Sequence, residues 1–117
     1  MKVLIADDAE FSRNRISETL SGAGFAVLEA DNGIDAVRAY EMEWPEVVLM
    51  DTSMPEMDGL SALRAIKDLN PEACVVMLTR VGQEIMLLDA LEAGADGYLV
   101  KPISPDLMLA AIHRVSL

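Results

Sequence analysis

The stretch that decides the fold is VVLMDTSMPEMDG, residues 47–59. Its first four residues, Val47–Met50, are apolar without alternation, which indicates a strand that is buried on both faces. Asp51 follows where that strand leaves the sheet. In open parallel α/β sheets, ligands and reactive groups collect at the carboxyl edge of the strands. Asp51 is therefore either an ordinary turn-capping aspartate or part of a functional site, and the other strand ends decide between the two.

Length and composition favour a single compact domain over residues 1–117, because 52% of the 117 residues are hydrophobic and can form a core. The one cysteine, Cys74, begins an apolar run and is predicted to be a buried core thiol. It permits no disulfide within the chain. No segment approaches the roughly 20 apolar residues of a membrane span, and the N-terminus is too short for a signal peptide. We expect a cytoplasmic protein without membrane contact.

The formal net charge of −11 is evidence against nucleic-acid binding by this domain. Neutralising phosphates needs clustered lysine and arginine side chains, which the sequence lacks. An acidic surface instead favours a cation or a basic partner surface.

Strands and helices are predicted to alternate five times along the chain. This alternation predicts an α/β fold with a parallel sheet covered on both faces. Asp58 and Ser104 are the predicted caps of the third and fifth helices. The predicted strands are Lys2–Ala6, Phe25–Ala30, Glu46–Asp51, Ala73–Leu78 and Gly97–Val100. The predicted helices are Ala9–Gly22, with Ile16, Leu20 and Ala23 inward, then Ile34–Glu43, Gly59–Leu69, Gln83–Ala93 and a last helix from Ser104 to about Val115.

This topology brings five polar side chains to one edge of the sheet: Asp7 and Asp8 after the first strand, Asp51 after the third, Thr79 after the fourth and Lys101 after the fifth. Three neighbouring carboxylates repel one another unless a cation lies among them, and their oxygens suit Mg²⁺. A carboxylate becomes a competent phosphoryl acceptor when a metal and a lysine neutralise the phosphoryl oxygens. We therefore predict that Asp51 is phosphorylated and that Thr79 hydrogen-bonds the new phosphoryl group.

Each of these residues has a simpler interpretation by itself. The Asp7-Asp8 pair is an ordinary feature of a helix N-terminus, Lys101 is an ordinary surface lysine, and Thr79 is an ordinary cap. The five together at the ends of four strands favour the functional interpretation.

The chain resembles the receiver domain of two-component response regulators over essentially its full length. The matching motifs are Asp7-Asp8, Asp51, Met54-Pro55-x-Met57-Asp58-Gly59, Thr79, Ala93-Gly94-Ala95 and Lys101-Pro102. Within the family, Asp7-Asp8-Ala9, Met54-Pro55-Glu56-Met57 and Gly82-Gln83 look most like single-domain chemotaxis regulators of the CheY kind.

The resemblance implies a flavodoxin-like (βα)5 fold with strand order 2-1-3-4-5. It implies that a histidine kinase donates the phosphoryl group to Asp51, and that the domain catalyses only its own phosphorylation and self-dephosphorylation. It implies Mg²⁺ held by Asp8, Asp51 and the backbone carbonyl of Ser53, with Asp7 in support. It also implies a cis Lys101–Pro102 bond, and a switch in which the ring of Tyr98 moves inward when Thr79 shifts towards the phosphoryl group.

Two positions depart from the family pattern. Arg80 follows Thr79 where a small residue is usual, and its guanidinium either pairs with the phosphoryl group, blocks access to it or points to solvent. Ser53 stands two residues beyond Asp51, where asparagine is often seen, and it and Val81 flank the water that would hydrolyse the acyl phosphate. Neither carries a carboxylate or an amide to assist that water, so we expect slow to moderate self-dephosphorylation.

The fourth and fifth helices carry more apolar residues than one buried stripe uses. We expect part of this surface to be exposed beside Tyr98 as a face for a downstream partner or for a homodimer, and we assign Leu87, Leu91, Tyr98 and Met108 to it. The alternative is burial of these side chains on all sides.

Other functions fit less well. A phosphohydrolase with an aspartyl nucleophile needs a second acid two residues on, where Ser53 stands. An FMN site needs a phosphate-binding loop after the first strand, where Asp7-Asp8 would repel the phosphate. Two alternatives stay open: a receiver module of a longer regulator with a DNA-binding or enzymatic output, and an interaction scaffold that is independent of phosphorylation.

Overall fold

A computed structural model describes residues 1–116, and it confirms the predicted alternation of five strands and five helices. The prediction of one domain over residues 1–117 includes a last residue that lies outside the described part. The strands are β1 (Lys2–Ala6), β2 (Ala26–Ala30), β3 (Val47–Asp51), β4 (Val75–Arg80) and β5 (Gly97–Lys101). The helices are α1 (Glu10–Gly22), α2 (Gly33–Glu43), α3 (Gly59–Leu69), α4 (Met86–Glu92) and α5 (Pro105–Val115).

The sheet is parallel throughout and has the predicted order β2-β1-β3-β4-β5. β3 lies at its centre, and all five of its residues are buried, as the run without alternation predicted. One face of the sheet packs against α2, α3 and α4 around Tyr40, Leu63 and Met77. The other face packs against α1 and α5 around Leu20 and Ile112.

Side-chain caps fix the start of the helices that flank the carboxyl edge. The carboxylate of Asp58 accepts a hydrogen bond of 2.8 Å from the backbone N–H of Ser61, and Ser104 Oγ accepts one of 3.5 Å from the N–H of Leu107. These two caps were predicted. Asn32 caps α2 in the same way, with a bond of 2.8 Å from the N–H of Asp35.

Two strands extend further than predicted, and one helix is shorter. Pairing of Arg80 with Lys101 extends β4 and β5 to these residues, so Thr79 lies inside β4 rather than after it. α4 begins at Met86 rather than Gln83. The segment before it is a turn, because Gly82 has a φ of +92° and the N–H of Gln83 bonds back to the carbonyl of Arg80.

The assignment of Leu87 and Met108 to the partner face is wrong. Leu87 is only 6% exposed and Met108 only 2%. Leu87 packs with Ala90, one turn further along α4, against the sheet. Met108 packs with Ala111 and Ile112 of α5 against the other face.

The other two members of the predicted face are exposed: Leu91 by 46% and Tyr98 by 49%. The large apolar side chains that α4, α5 and the loop before α4 turn to solvent are Val81, Ile85, Met86, Leu88, Leu91 and Leu107. An exposed apolar surface therefore exists on α4, α5 and the loop before α4, but Leu87 and Met108 are not part of it.

Two smaller expectations also fail. Ala23 is exposed rather than inward, because the chain has already left α1 and turns towards Gly24, whose φ is +91°. Cys74 is only partly buried, since it precedes β4 at the margin of the core, where its thiol donates a hydrogen bond of 2.9 Å to the carbonyl of Val115. No helix within residues 1–116 has the length and apolar content to cross a bilayer.

Candidate functional site

The register of the two central strands places Asp7 beside Asp51. Ala6 of β1 pairs with Met50 of β3, so the next residue on each strand is an aspartate at the same level. Both are withdrawn from solvent, with 0% exposure for Asp7 and 1% for Asp51. Two carboxylates in such a position repel each other and lose hydration, which destabilises the fold unless a positive charge compensates.

Lys101 supplies that charge from β5, reaching over β4. Its ammonium lies 2.6 Å from Oδ2 of Asp7 and 3.2 Å from Oδ2 of Asp51. The Lys101–Pro102 bond that follows is cis, which confirms the expectation from the resemblance. The lysine side chain is itself largely buried, so little water screens these two ion pairs.

Asp8 completes an acidic cluster at the mouth of the site and is exposed. Each of the carboxylates Asp7, Asp8 and Asp51 offers an oxygen that lies within 4.8 Å of the other two. Opposite ligands of an octahedral Mg²⁺ ion stand about 4.2 Å apart, so these separations are near those that one ion requires. With three carboxylates and one ammonium, the pocket carries an excess of negative charge that a divalent cation balances.

Burial dominates the electrostatics of Asp51. Loss of hydration raises its pKa from 3.8 to about 6, against the opposing effect of Lys101 and with a smaller contribution from the charge on Asp7. Burial acts in the same direction on Asp7. There, however, hydrogen bonds from Lys101 and from the N–H of Ala9 outweigh it, and the pKa of Asp7 is lowered. At neutral pH Asp51 is therefore still mostly ionised, but as an unusually basic carboxylate.

Thr79 lies in β4 next to β3 and is completely buried. Among the described residues, its hydroxyl oxygen has no hydrogen-bond partner, which is uncommon for a buried polar group. Thr79 pairs with Val100, and Met77 pairs with Tyr98. Because side chains two residues apart share a face of a strand, Thr79 and Tyr98 lie on the same face of the sheet, the one that α4 covers.

Arg80 turns its guanidinium towards the site, with Nη2 3.9 Å from Oδ2 of Asp51. The backbone N–H of Ser53 donates to Oδ1 of Asp51 over 3.3 Å. Asp51 therefore meets donors on both of its oxygens. Val81 points to solvent, so neither it nor Ser53 brings an acid or an amide to the pocket.

The structure gives a physical role to two further residues of the site. A Cβ added at Gly59 would overlap the backbone carbonyl of Asp51, so only glycine allows α3 to begin against the end of β3. Arg13 donates from Nη1 to the carbonyl of Asp7 over 2.9 Å and from Nε to Glu29 over 3.0 Å, and thereby fixes the chain beside the acids. The sequence could indicate Gly59, because a glycine follows the helix-capping Asp58. No pattern in the sequence indicates the contacts of Arg13.

The model of the response regulator receiver domain matches residues 3–113 of this chain. The chain belongs to the response regulator receiver family. This confirms the family predicted from the strand-end motifs.

Similar proteins cover the receiver domain almost completely. The chemotaxis protein CheY of Bacillus subtilis is 44% identical over 97% of this chain and 95% of its own length, and that of Thermotoga maritima is 39% identical over 98% and 97%. Among solved structures, the CheX-CheY-BeF3-Mg²⁺ complex from Borrelia burgdorferi matches with a TM-score of 0.92 and 30% identity, covering 100% of this chain and 90% of that one. The flavodoxin-like receiver fold is thereby confirmed.

Proposed function

We propose that this receiver domain is switched by transfer of a phosphoryl group from a histidine kinase to the carboxylate of Asp51, and that it then signals by binding a downstream protein. The observation that carries the proposal is the surroundings of Asp51. This buried, basic carboxylate lies 3.2 Å from the ammonium of Lys101. It also lies at the same carboxyl edge of the sheet as the buried hydroxyl of Thr79, which has no hydrogen-bond partner among residues 1–116.

The donor set supports Mg²⁺ as the cofactor. Asp8, Asp51 and the backbone carbonyl of Ser53 would hold the ion, with Asp7 in support, and water would fill the remaining positions. When bound, Mg²⁺ neutralises charge on the phosphoryl oxygens. The presence of Mg²⁺ and BeF3 in the similar Borrelia burgdorferi complex is consistent with this assignment.

The side chains of the domain have separate parts in the transfer. An oxygen of Asp51 attacks phosphorus, and the bond from phosphorus to the donor breaks with its electron pair leaving on the donor. Lys101 holds its ammonium beside the carboxylate and stabilises the negative charge that develops on the phosphoryl oxygens. Arg80 approaches from the solvent side as a second cation. The domain in this account catalyses only its own modification.

The unsatisfied hydroxyl of Thr79 gives the modification a way to change the fold. A phosphoryl group adds strong acceptor oxygens, and a hydrogen bond from Thr79 to one of them draws this side chain towards Asp51. The space that it leaves lies on the face of the sheet where Tyr98 stands half exposed, so the ring can move inward. α4, which covers this face, would shift with it.

The output surface in this proposal is the exposed apolar side of α4 and β5, formed by Ile85, Leu88, Leu91 and Tyr98. These side chains replace the predicted set that contained Leu87 and Met108. Homodimerisation through this face and a cytoplasmic location stay predictions.

Intact-mass measurement after incubation with acetyl phosphate and Mg²⁺ tests the proposal. We expect the protein to gain one phosphoryl group, which is lost in Asp51→Asn and retained in Asp68→Asn, a matched change at an exposed position. Omitting Mg²⁺ should abolish the gain. A wild-type protein that gains nothing, or an Asp51→Asn protein that gains as much as the wild type, would refute it and favour a scaffold that acts without phosphorylation.

A further inference from the structure

A cavity of about 520 Å³ lies between α1 and the segment that leads from β5 into α5. Apart from Arg80 and Lys101, the residues that line it are not among those used above to hold or switch the phosphoryl group. Small-molecule sites in proteins measure about 300–1,000 Å³, so its size is that of a binding site rather than a packing defect.

α1 forms one wall of the cavity with side chains of mixed size. Ser12 and Thr19 line it with small side chains, while Phe11 adds apolar wall and is 75% exposed. The opposite wall is apolar and includes Ile103, Pro105 and Met108.

Two side chains of the cavity wall also contact the phosphoryl acceptor. Lys101 and Arg80 are part of its wall, and their nitrogens lie 3.2 and 3.9 Å from Oδ2 of Asp51. A molecule that fills the cavity therefore contacts two cationic side chains that also contact the carboxylate that we propose is phosphorylated.

The charge of the wall is opposite to that of the chain. The chain has 20 acidic and nine basic residues, yet no acidic residue is among the described residues that form the wall, and Arg15, Arg80 and Lys101 are. The site thus complements a ligand with an anionic end at Arg80 and Lys101 and an apolar body, which is the shape of an acyl phosphate with a medium-length chain.

We propose that the cavity is an acyl-binding site that makes the domain selective for phosphodonors with an apolar acyl group of about four to six carbons. This rests on the proposed function. An oxygen of Asp51 forms the new bond to phosphorus, the bond from phosphorus to the acyl carboxylate oxygen breaks, and the carboxylate leaves with the electron pair, so no proton and no further reactant is needed. The apolar chain lies along Ile103 and Met108, and Arg15 faces it from α1.

The rate of phosphorylation with acetyl, butyryl and hexanoyl phosphate, followed by intact mass, measures this selectivity. Straight-chain carboxylates are leaving groups of nearly equal basicity, so differences in rate report on binding. Burial of one methylene is worth about a fourfold change, and we expect the rate per donor concentration to rise at least about tenfold from acetyl to hexanoyl phosphate. Phosphoramidate, which has no acyl chain, serves as the reference donor.

Two variants locate the effect. Thr19→Trp fills the cavity from α1, and Phe11→Ser removes apolar wall at an exposed position where the fold tolerates it. Both should bring the ratio of hexanoyl to acetyl rates close to one. Met42→Ser replaces an exposed apolar side chain on α2, away from the cavity, and should keep the wild-type ratio.

Binding is also measured without metal or turnover. Hexanoate at millimolar concentration should shift the methyl NMR signals of Ile103 and Met108 in the metal-free protein, whereas acetate should not, and Thr19→Trp should abolish the shifts. Equal or falling rates along the donor series, or the absence of these shifts, would overturn the acyl site. Failure of every donor, phosphoramidate included, would instead overturn the phosphorylation of Asp51 itself.

Discussion

Asparagine in place of Asp51 keeps the size of the side chain and removes the charge that β3 carries into the core. Burial raises the pKa of Asp51 to about 6 from the ordinary 3.8, and one pH unit corresponds to about 1.4 kcal/mol. The ionised carboxylate therefore costs the metal-free fold about 3 kcal/mol at neutral pH, although Lys101 offsets part of its lost hydration. We expect Asp51→Asn to be more stable than the wild type by about this amount at pH 7.

The sign of the pH dependence follows from the raised pKa. Above about pH 6 the carboxylate is ionised in the folded and the unfolded protein, and its full cost is present. As the pH falls from about 6 to about 4, the folded wild type takes up a proton that the unfolded chain does not, so its stability rises towards that of the variant. The lowered pKa of Asp7 acts at lower pH.

Urea unfolding in the presence of a chelator, at pH 4, 5 and 7, measures the difference directly. The change in the difference with pH isolates the effect of charge from that of shape. Asp68→Asn makes the same chemical change at an exposed position, and it measures how much the substitution changes stability when the side chain is not buried. Adding Mg²⁺ should stabilise the wild type but not Asp51→Asn. A variant less stable than the wild type at pH 7, or a difference that stays constant with pH, would show that burial of this charge is not costly.

Three further changes test other parts of the site. Lys101→Met leaves two buried carboxylates without their cation and should lower the free energy of unfolding by about 3 kcal/mol as well as abolish phosphorylation; a variant that retained phosphorylation would argue against the role given to the ammonium. Gly59→Ala places a Cβ against the carbonyl of Asp51 and should destabilise by about 3 kcal/mol or more, whereas Gly22→Ala, which meets open space, should change stability by about 1 kcal/mol at most. Arg80→Ala should speed loss of the phosphoryl group about two- to fivefold, as expected for a half-exposed ion pair, with Arg80→Lys intermediate, while the wild-type phosphoryl lifetime stays longer than seconds; equal decay of all three would mean that the guanidinium only faces solvent.

The fold was predictable because local signals agreed along the chain. The apolar run before Asp51 predicted a central strand, and the structure has that strand buried throughout. The third helix was predicted at both ends, since Asp58 caps it and Asn70-Pro71 follows it. Strand ends were predicted less well: β4 continues to Arg80 because pairing with β5 extends it, and pairing of this kind is not visible in a single segment.

Which side of a helix is buried was not predictable where both sides are apolar. Leu87 and Leu88 are adjacent leucines of α4, yet only Leu87 faces the sheet. The same ambiguity led to the wrong assignment of Met108 on α5. The sequence also held no sign of the cavity, because its volume depends on how far Ser12 and Thr19 stand from Ile103 once α1 and α5 have packed.

α4 has only seven residues, has no side-chain cap at its start and buries just Leu87 and Ala90. Its free energy of local unfolding is therefore the lowest among the five helices, and amide hydrogen exchange should be fastest there. A protein that covers Leu88 and Leu91 would add burial that this helix lacks by itself. Modification at the end of β3 and association at α4 then both depend on the low local stability of α4, so each is expected to favour the other to the same degree.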